Sequence, residues 1–126
     1  MVEQAFLGDT TVLVAEDEAL VRLFTADYLR EAGYRVVEVS NAADALKELE
    51  NTTGVRVLLT DVEMPGGMDG MELAREVQRR WPGMVILVTS GRVRPTRDEL
   101  PGNIGFFQKP VREQAVVQAI KEGLER

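Results

Sequence analysis

Two periods alternate along the chain. Short apolar runs, TVLVA (11–15), RVVEV (35–39), VRVLLT (55–60), MVILVT (84–89) and IGFF (104–107), have the length and the Val, Ile, Leu and Phe content of strands. At least three of them are apolar enough throughout to be buried on both faces, as the strands of a parallel sheet are. Between them stand stretches with a helical stripe. Residues 18–32 bring Val21, Phe24, Tyr28 and Ala32 onto one face and meet a stop at Gly33, while Asn41 is placed to cap a helix carrying Ala42, Leu46 and Leu49. GMELAREVQRRW (70–81) aligns Leu73, Ala74, Val77 and Trp81, and residues 111–124 align Val116, Ala119, Ile120 and Leu124. Such stripes predict helices that face a core rather than a cofactor-binding segment.

Strand and helix in repeated alternation predict an open α/β sheet with helices on both faces. One connection breaks the pattern. Between the fourth and fifth strands, SGRVRPTRDELPGN carries Pro95 and Pro101 and little apolar periodicity, so the fourth of the expected helices should be short, irregular or mobile. No linker, internal repeat or low-complexity segment interrupts the chain. It reads as one domain over residues 1–126, with a core from about 10 to 125 and no output domain attached.

Composition narrows the chemistry. Fifteen basic against 21 acidic residues give a net charge of −6, which disfavours broad binding to nucleic acid or to anionic membranes and suits protein or cationic partners. The chain has no cysteine and no histidine, so thiol chemistry, imidazole acid–base catalysis and the usual transition-metal ligands are excluded. Carboxylates, hydroxyls, lysine, arginine and backbone remain. The N-terminal MVEQAFLGDT lacks the character of a signal peptide, and no apolar run approaches the roughly 20 residues of a membrane span, so a cytoplasmic location is expected.

Polar residues gather where the apolar runs stop. Glu16 and Asp17 follow the first strand, Asp61 ends the third, Thr89 and Ser90 end the fourth, and Lys109 follows the fifth. In open α/β folds the functional crevice lies beyond the carboxyl ends of the strands, so these groups converge on one edge. Each alone is an ordinary turn or cap residue; their coincidence is not. Three clustered carboxylates repel one another and call for a hard divalent cation, for which Mg²⁺ with one or two carboxylates and phosphate oxygens is the natural choice. A phosphoryl group at Asp61 would meet that ion, the Lys109 ammonium and a hydroxyl from Ser90 or Thr89, the positioning and charge neutralisation that phosphoryl transfer needs.

Taken in order, VLVAEDEALVR, LLTDVEMPGGMDGMEL, VILVTSG and FFQKP resemble the receiver domain of bacterial two-component response regulators over about residues 10–125. The resemblance implies a flavodoxin-like, doubly wound five-stranded parallel sheet of order 2-1-3-4-5. It implies that Asp61 accepts a phosphoryl group from a phosphohistidine on a partner histidine kinase or histidine phosphotransfer protein. Glu16, Asp17, Asp61 and the backbone carbonyl of Glu63 would hold Mg²⁺, Lys109 would be the family's lysine, and the Lys109–Pro110 bond its cis peptide. Ser90, with Thr89 as the alternative, would be the switch hydroxyl, and Phe106, with Phe107 as a substitute, the aromatic that turns inward. Such a domain is not a turnover enzyme; it is a switch that changes its binding face toward a downstream protein target, and dimerisation stays open.

Departures from the commoner pattern are visible. MPGGMDG is one residue longer than MPxMDG, which lengthens the loop after Asp61. Glu63 and Arg92 flank the path of attacking water in the family and are expected to pair across the site and tune the acyl-phosphate lifetime. Arg92, Arg94 and Arg97 could dock an acidic partner, though a solvated cluster is the simpler reading. Two rival functions are a Mg²⁺-dependent phosphohydrolase, against which DVE lacks a second aspartate two residues on, and a phosphorylation-independent interaction module of the same fold.

Overall fold

The first strand, β1 (Thr11–Ala15), is buried along its whole length. The structure, a computed structural model, describes residues 10–92, 94–96, 100 and 103–126. After β1 come α1 (Ala19–Glu31), β2 (Arg35–Val39), α2 (Ala42–Asn51), β3 (Val55–Asp61), α3 (Gly70–Arg80), β4 (Val85–Ser90), β5 (Ile104–Gln108) and α4 (Glu113–Leu124). All strand pairs are parallel, in the order β2-β1-β3-β4-β5, as the sequence resemblance implies. The chain leaves β1 toward β2 and returns on the other side as β3, so the loops after β1 and β3 part and open a crevice at their carboxyl ends.

Strand periodicity divides the core in two. Leu13 and Ala15 of β1, with Leu58, Ile86 and Val88, pack against Ala42, Ala45 and Leu49 of α2 and Leu73, Ala74 and Val77 of α3. Val12 and Val14, with Val57, Leu59 and Leu87, pack on the other face against Leu29 of α1 and Val116 and Ile120 of α4. Both faces of β1, β3 and β4 are therefore covered, which is why these runs are apolar without alternation.

The α1 face differs from the one expected. Ala26 and Leu29 are fully buried, whereas Phe24 is 61% exposed and Leu20 81% exposed. The fully buried positions lie roughly a third of the way round from the centre of the Val21–Phe24–Tyr28–Ala32 stripe, given about 3.6 residues per turn, while Tyr28 and Ala32 of that stripe pack, partly buried, at the core margin. Arg22 explains part of this. Its guanidinium donates to the Glu16 carbonyl oxygen at 2.8 Å and lies 3.6 Å from Glu38, so a polar side chain takes an inward position by bonding to the strand ends. Phe24 instead meets Tyr28 edge-on, with ring centroids 6.0 Å apart. In α2, α3 and α4 the expected stripes do face the core or its margin.

Helix starts follow local chemistry. The Asn41 side chain accepts from the Asp44 N–H at 2.8 Å, as expected. A full capping box opens α3: Asp69 Oδ1 accepts from Glu72 N–H at 2.9 Å, and Glu72 Oε1 accepts from Asp69 N–H at 3.0 Å. Asp69→Ala is expected to lower stability by about 1 kcal/mol, measurable as a shift in the denaturant midpoint with unchanged slope. Between β4 and β5, residues 91, 92, 94–96, 100 and 103 lie in no helix, consistent with the proline-bearing connection; Arg97 and Pro101 fall outside the described residues.

Candidate functional site

The sheet itself carries Asp61 into the crevice. β3 continues through Asp61 because the ladder continues: Asp61 stands opposite Thr89, and the Val62 N–H donates to the Thr89 carbonyl at 2.8 Å. On the far side, Lys109 N–H donates to the Ser90 carbonyl at 2.9 Å and places the lysine beside the end of β4. Glu16, directly after β1, is tied by its N–H to the Val39 carbonyl at 3.0 Å. Its buried side chain accepts from Glu18 N–H at 3.1 Å through Oε2 and from Lys109 Nζ at 3.1 Å through Oε1.

The charges converge on a carboxylate that is short of partners. Asp61 is buried, and Lys109 Nζ lies 3.3 Å from its Oδ1 as a charge contact without hydrogen-bond alignment. No well-aligned hydrogen bond from the described residues is made to that oxygen. Burial first, then the Glu16 charge, push the Asp61 carboxyl up to about 6; Lys109 pulls it down but does not win, and Glu63 adds to the rise. Burial works against the Lys109 ammonium, yet its bond to Glu16 and the charge of Asp61 outweigh this and raise it above its ordinary value. One oxygen each from Glu16, Asp17 and Asp61 lies within 4.8 Å of the others, with Asp17 exposed at the mouth. An all-oxygen set with an orphaned buried carboxylate oxygen fits a hard divalent cation. A cavity of about 270 Å³ adjoins the cluster, bounded by Phe24, Tyr28, Thr89, Lys109 and Val111 as well as Asp61.

The family described as response regulator receiver domain matches residues 12–121. This chain is a receiver domain. It is 33% identical to the response regulator receiver protein CpdR of Brucella abortus over 117 residues, 90% of this chain and 95% of that protein. It is 34% identical over 123 residues to the sensor kinase CckA of the same organism, covering 94% of this chain and only 13% of the kinase. A receiver protein structure from Sinorhizobium medicae superposes with a TM-score of 0.86 at 26% identity, over 92% of this chain and 94% of that one. The chain thus spans nearly all of one curated relative and a small fraction of another. Receiver domains are the phosphorylation-activated switches of two-component and phosphorelay signalling, and this one has their five parallel strands in the order 2-1-3-4-5.

Within the receiver, the expected residues Glu16, Asp17, Asp61 and Lys109 come together. The Lys109–Pro110 peptide is cis. Thr89 borders the cavity beside Asp61, whereas the fully buried Ser90 donates its hydroxyl to Glu63 Oε2 at 2.5 Å. Phe106 is half-buried against the α2–α3 core, and Phe107 packs on the opposite one. The expected Glu63–Arg92 pair does not form among the described residues. The Glu63 carboxylate is instead engaged by Ser90 and by Gly91 N–H, the latter at 3.2 Å to Oε1, because β4 brings those groups to it first. Arg94 donates to Gln108 Oε1 at 2.7 Å.

Two features of the site are not legible in the sequence pattern. One is the Glu63–Ser90 contact, which no spacing announces. The other is Gly70, whose N–H donates to the Val62 carbonyl at 2.9 Å and whose Cα faces the Asp61 backbone so closely that a Cβ there would stand 1.8 Å from the Asp61 carbonyl oxygen. A glycine spent on the first turn of a helix, directly after a capping aspartate, is the one available signal.

Proposed function

We propose that Asp61 takes a phosphoryl group from a phosphohistidine of a partner histidine kinase or phosphotransfer protein. An Asp61 carboxylate oxygen attacks phosphorus, the phosphorus–nitrogen bond of the donor breaks, and an acyl phosphate forms. The observation that carries this reading is the buried Asp61 carboxylate with an orphaned Oδ1, 3.3 Å from a lysine and beside two further acids. Such an oxygen is costly to bury unless it is used. Glu16, Asp17, Asp61 and the Glu63 carbonyl would hold Mg²⁺, which when bound neutralises charge on the phosphoryl oxygens. Lys109 holds its charge at the same place. The Ser90 hydroxyl then bonds the phosphoryl group, Phe106 turns inward, and the face formed by the β4–β5 connection, β5 and α4 changes its fit to a downstream protein.

The reading includes a cytoplasmic protein without a nucleic-acid or membrane surface, supported by the charge of −6 and by the absence, among the described residues, of a helix long and apolar enough to cross a membrane. It also makes the chain a switch and not a turnover enzyme. Intact-mass spectrometry after incubation with Mg²⁺ and acetyl phosphate is expected to show one phosphoryl adduct, lost when a chelator replaces the metal. No adduct from folded protein under any condition would overturn the proposal.

A further inference from the structure

The Glu63 side chain closes a small ring of hydrogen bonds at the end of β4. Its Oε2 accepts from the Ser90 hydroxyl at 2.5 Å, its Oε1 accepts from the Gly91 N–H at 3.2 Å, and Ser90 Oγ accepts from the Arg92 N–H at 3.2 Å. Ser90 and Gly91 at the β4 exit are thereby bound to a carboxylate two positions after Asp61, and Arg92 is tied to the same Ser90 hydroxyl. Ser90 is fully buried and Glu63 half-buried, so solvent does not compete freely for the bond between them, whereas the Gly91 bond is exposed.

A serine hydroxyl has one proton to donate, and an ionised carboxylate only accepts. The proton that Ser90 gives to Glu63 is the one it would need to give to a phosphoryl oxygen. We propose that Glu63 is a latch: its carboxylate holds the Ser90 hydroxyl in the resting position, and the phosphoryl group on Asp61 must take that hydroxyl from it to switch the domain. The inference rests on the functional reading above and assigns the Glu63 side chain a role separate from its backbone carbonyl. Gly91 follows Ser90 directly and its N–H is held by the other oxygen of the same carboxylate, so moving the Ser90 hydroxyl away also perturbs that bond, at the first residue of the connection between β4 and β5. The same event that satisfies the phosphoryl group therefore loosens the root of that connection. Glu63 is a positioning residue that sets how much of the phosphoryl group's binding energy is used in switching.

Beryllofluoride with Mg²⁺, a non-covalent mimic of the phosphoryl group, tests the latch by titration calorimetry on four proteins: wild type, Glu63→Ala, Ser90→Ala and the double variant. A hydrogen bond to a charged acceptor is lost on release, so Glu63→Ala is expected to tighten beryllofluoride binding about tenfold while Ser90 is present. In the Ser90→Ala background the same change is expected to matter less than about twofold, because no hydroxyl remains to be held. Equal gains in both backgrounds would mean that Glu63 acts by charge on the site alone and would overturn the latch, as would no gain or a loss with Ser90 present. If Glu63→Ala does not fold, Glu63→Gln replaces it, with a smaller gain in the same direction and the same dependence on Ser90. The Gly91 amide resonance is a second readout, expected to move on beryllofluoride binding toward its position in free Glu63→Ala. Wild type that binds no beryllofluoride would reject the phosphoacceptor reading itself, whereas binding without the Ser90-dependent gain rejects only the latch.

Discussion

Asp61→Asn is expected to abolish the phosphoryl adduct and, in the presence of a chelator, to make the protein more stable at neutral pH. The first effect follows from the nucleophile: an amide oxygen does not form an acyl phosphate. The second follows from the cost of the carboxylate in the metal-free site. Burial and the neighbouring Glu16 lift the Asp61 carboxyl from 3.8 to about 6. A folded-state value above the unfolded one means that the native protein binds the extra proton between these limits. Stability contributed by that proton is present below about pH 4 and is lost as pH rises through about 6. The ionised state at neutral pH thus carries a penalty on the order of 1–3 kcal/mol, because each tenfold change in proton affinity is worth about 1.4 kcal/mol. Asparagine removes it. Denaturant unfolding in chelator should show the variant more stable by that order above pH 6, with the difference vanishing toward pH 4. Adding Mg²⁺ should raise the wild type and move the variant much less. Equal stabilities across this range would contradict the assignment of Asp61 as a buried charge that Lys109 compensates only in part.

Gly70→Ala is the second substitution with a large expected effect, and its sign opposes helix propensity. In an exposed helix interior, alanine in place of glycine stabilises by about 1 kcal/mol. At Gly70 the new methyl carbon would stand 1.8 Å from the Asp61 carbonyl oxygen, 2.6 Å from the Asp61 carbonyl carbon and 2.8 Å from the Val62 Cα. All three are backbone atoms of the strand end that carries the nucleophile, so no side chain can turn aside. Either the start of α3 moves away, breaking the Gly70–Val62 hydrogen bond, or the end of β3 moves and takes Asp61 with it. Overpacking against backbone is expected to cost about 3 kcal/mol or more. Adduct formation should fall even under conditions where the variant is folded, because the carboxylate no longer meets Lys109 and the acid pair at the same distances. Gly67→Ala, with nothing within 4 Å of its added carbon, is the control and is expected to be near neutral. A neutral or stabilised Gly70→Ala protein would show that the contact yields easily.

The pattern of residues is most informative where a single physical requirement governs a whole element. Apolar runs without alternation announce β1, β3 and β4 because strands covered on both faces leave no position for polar side chains. The stripes of α2, α3 and α4 are legible for the same reason: each helix lays one face on one side of the sheet. In α1 the rule holds only in part. Tyr28 and Ala32 of the expected stripe pack at the core margin, but the fully buried positions are Ala26 and Leu29, Phe24 is exposed, and Arg22 reaches polar partners on β2 and the β1 exit, so counting apolar residues misplaces the centre of the buried face.

The site divides in the same way. That Glu16, Asp17, Asp61 and Lys109 would share one edge is readable from their positions after separate strands, since a parallel sheet brings the strand ends together whatever the details. Which group each touches is not. Glu16 is placed next to Lys109, and Glu63 next to Ser90 and Gly91, by the register of β3 against β4 and by the exit of β5. Residue type and spacing by themselves determined a parallel α/β sheet with an acidic, lysine-bearing edge, because burial and strand geometry act on every member of a run; the receiver family came from the resemblance of its motifs. Only the tertiary structure decided the partner of each side chain and the closeness of Gly70 to Asp61, because those depend on distances of a few ångströms between segments far apart in the chain.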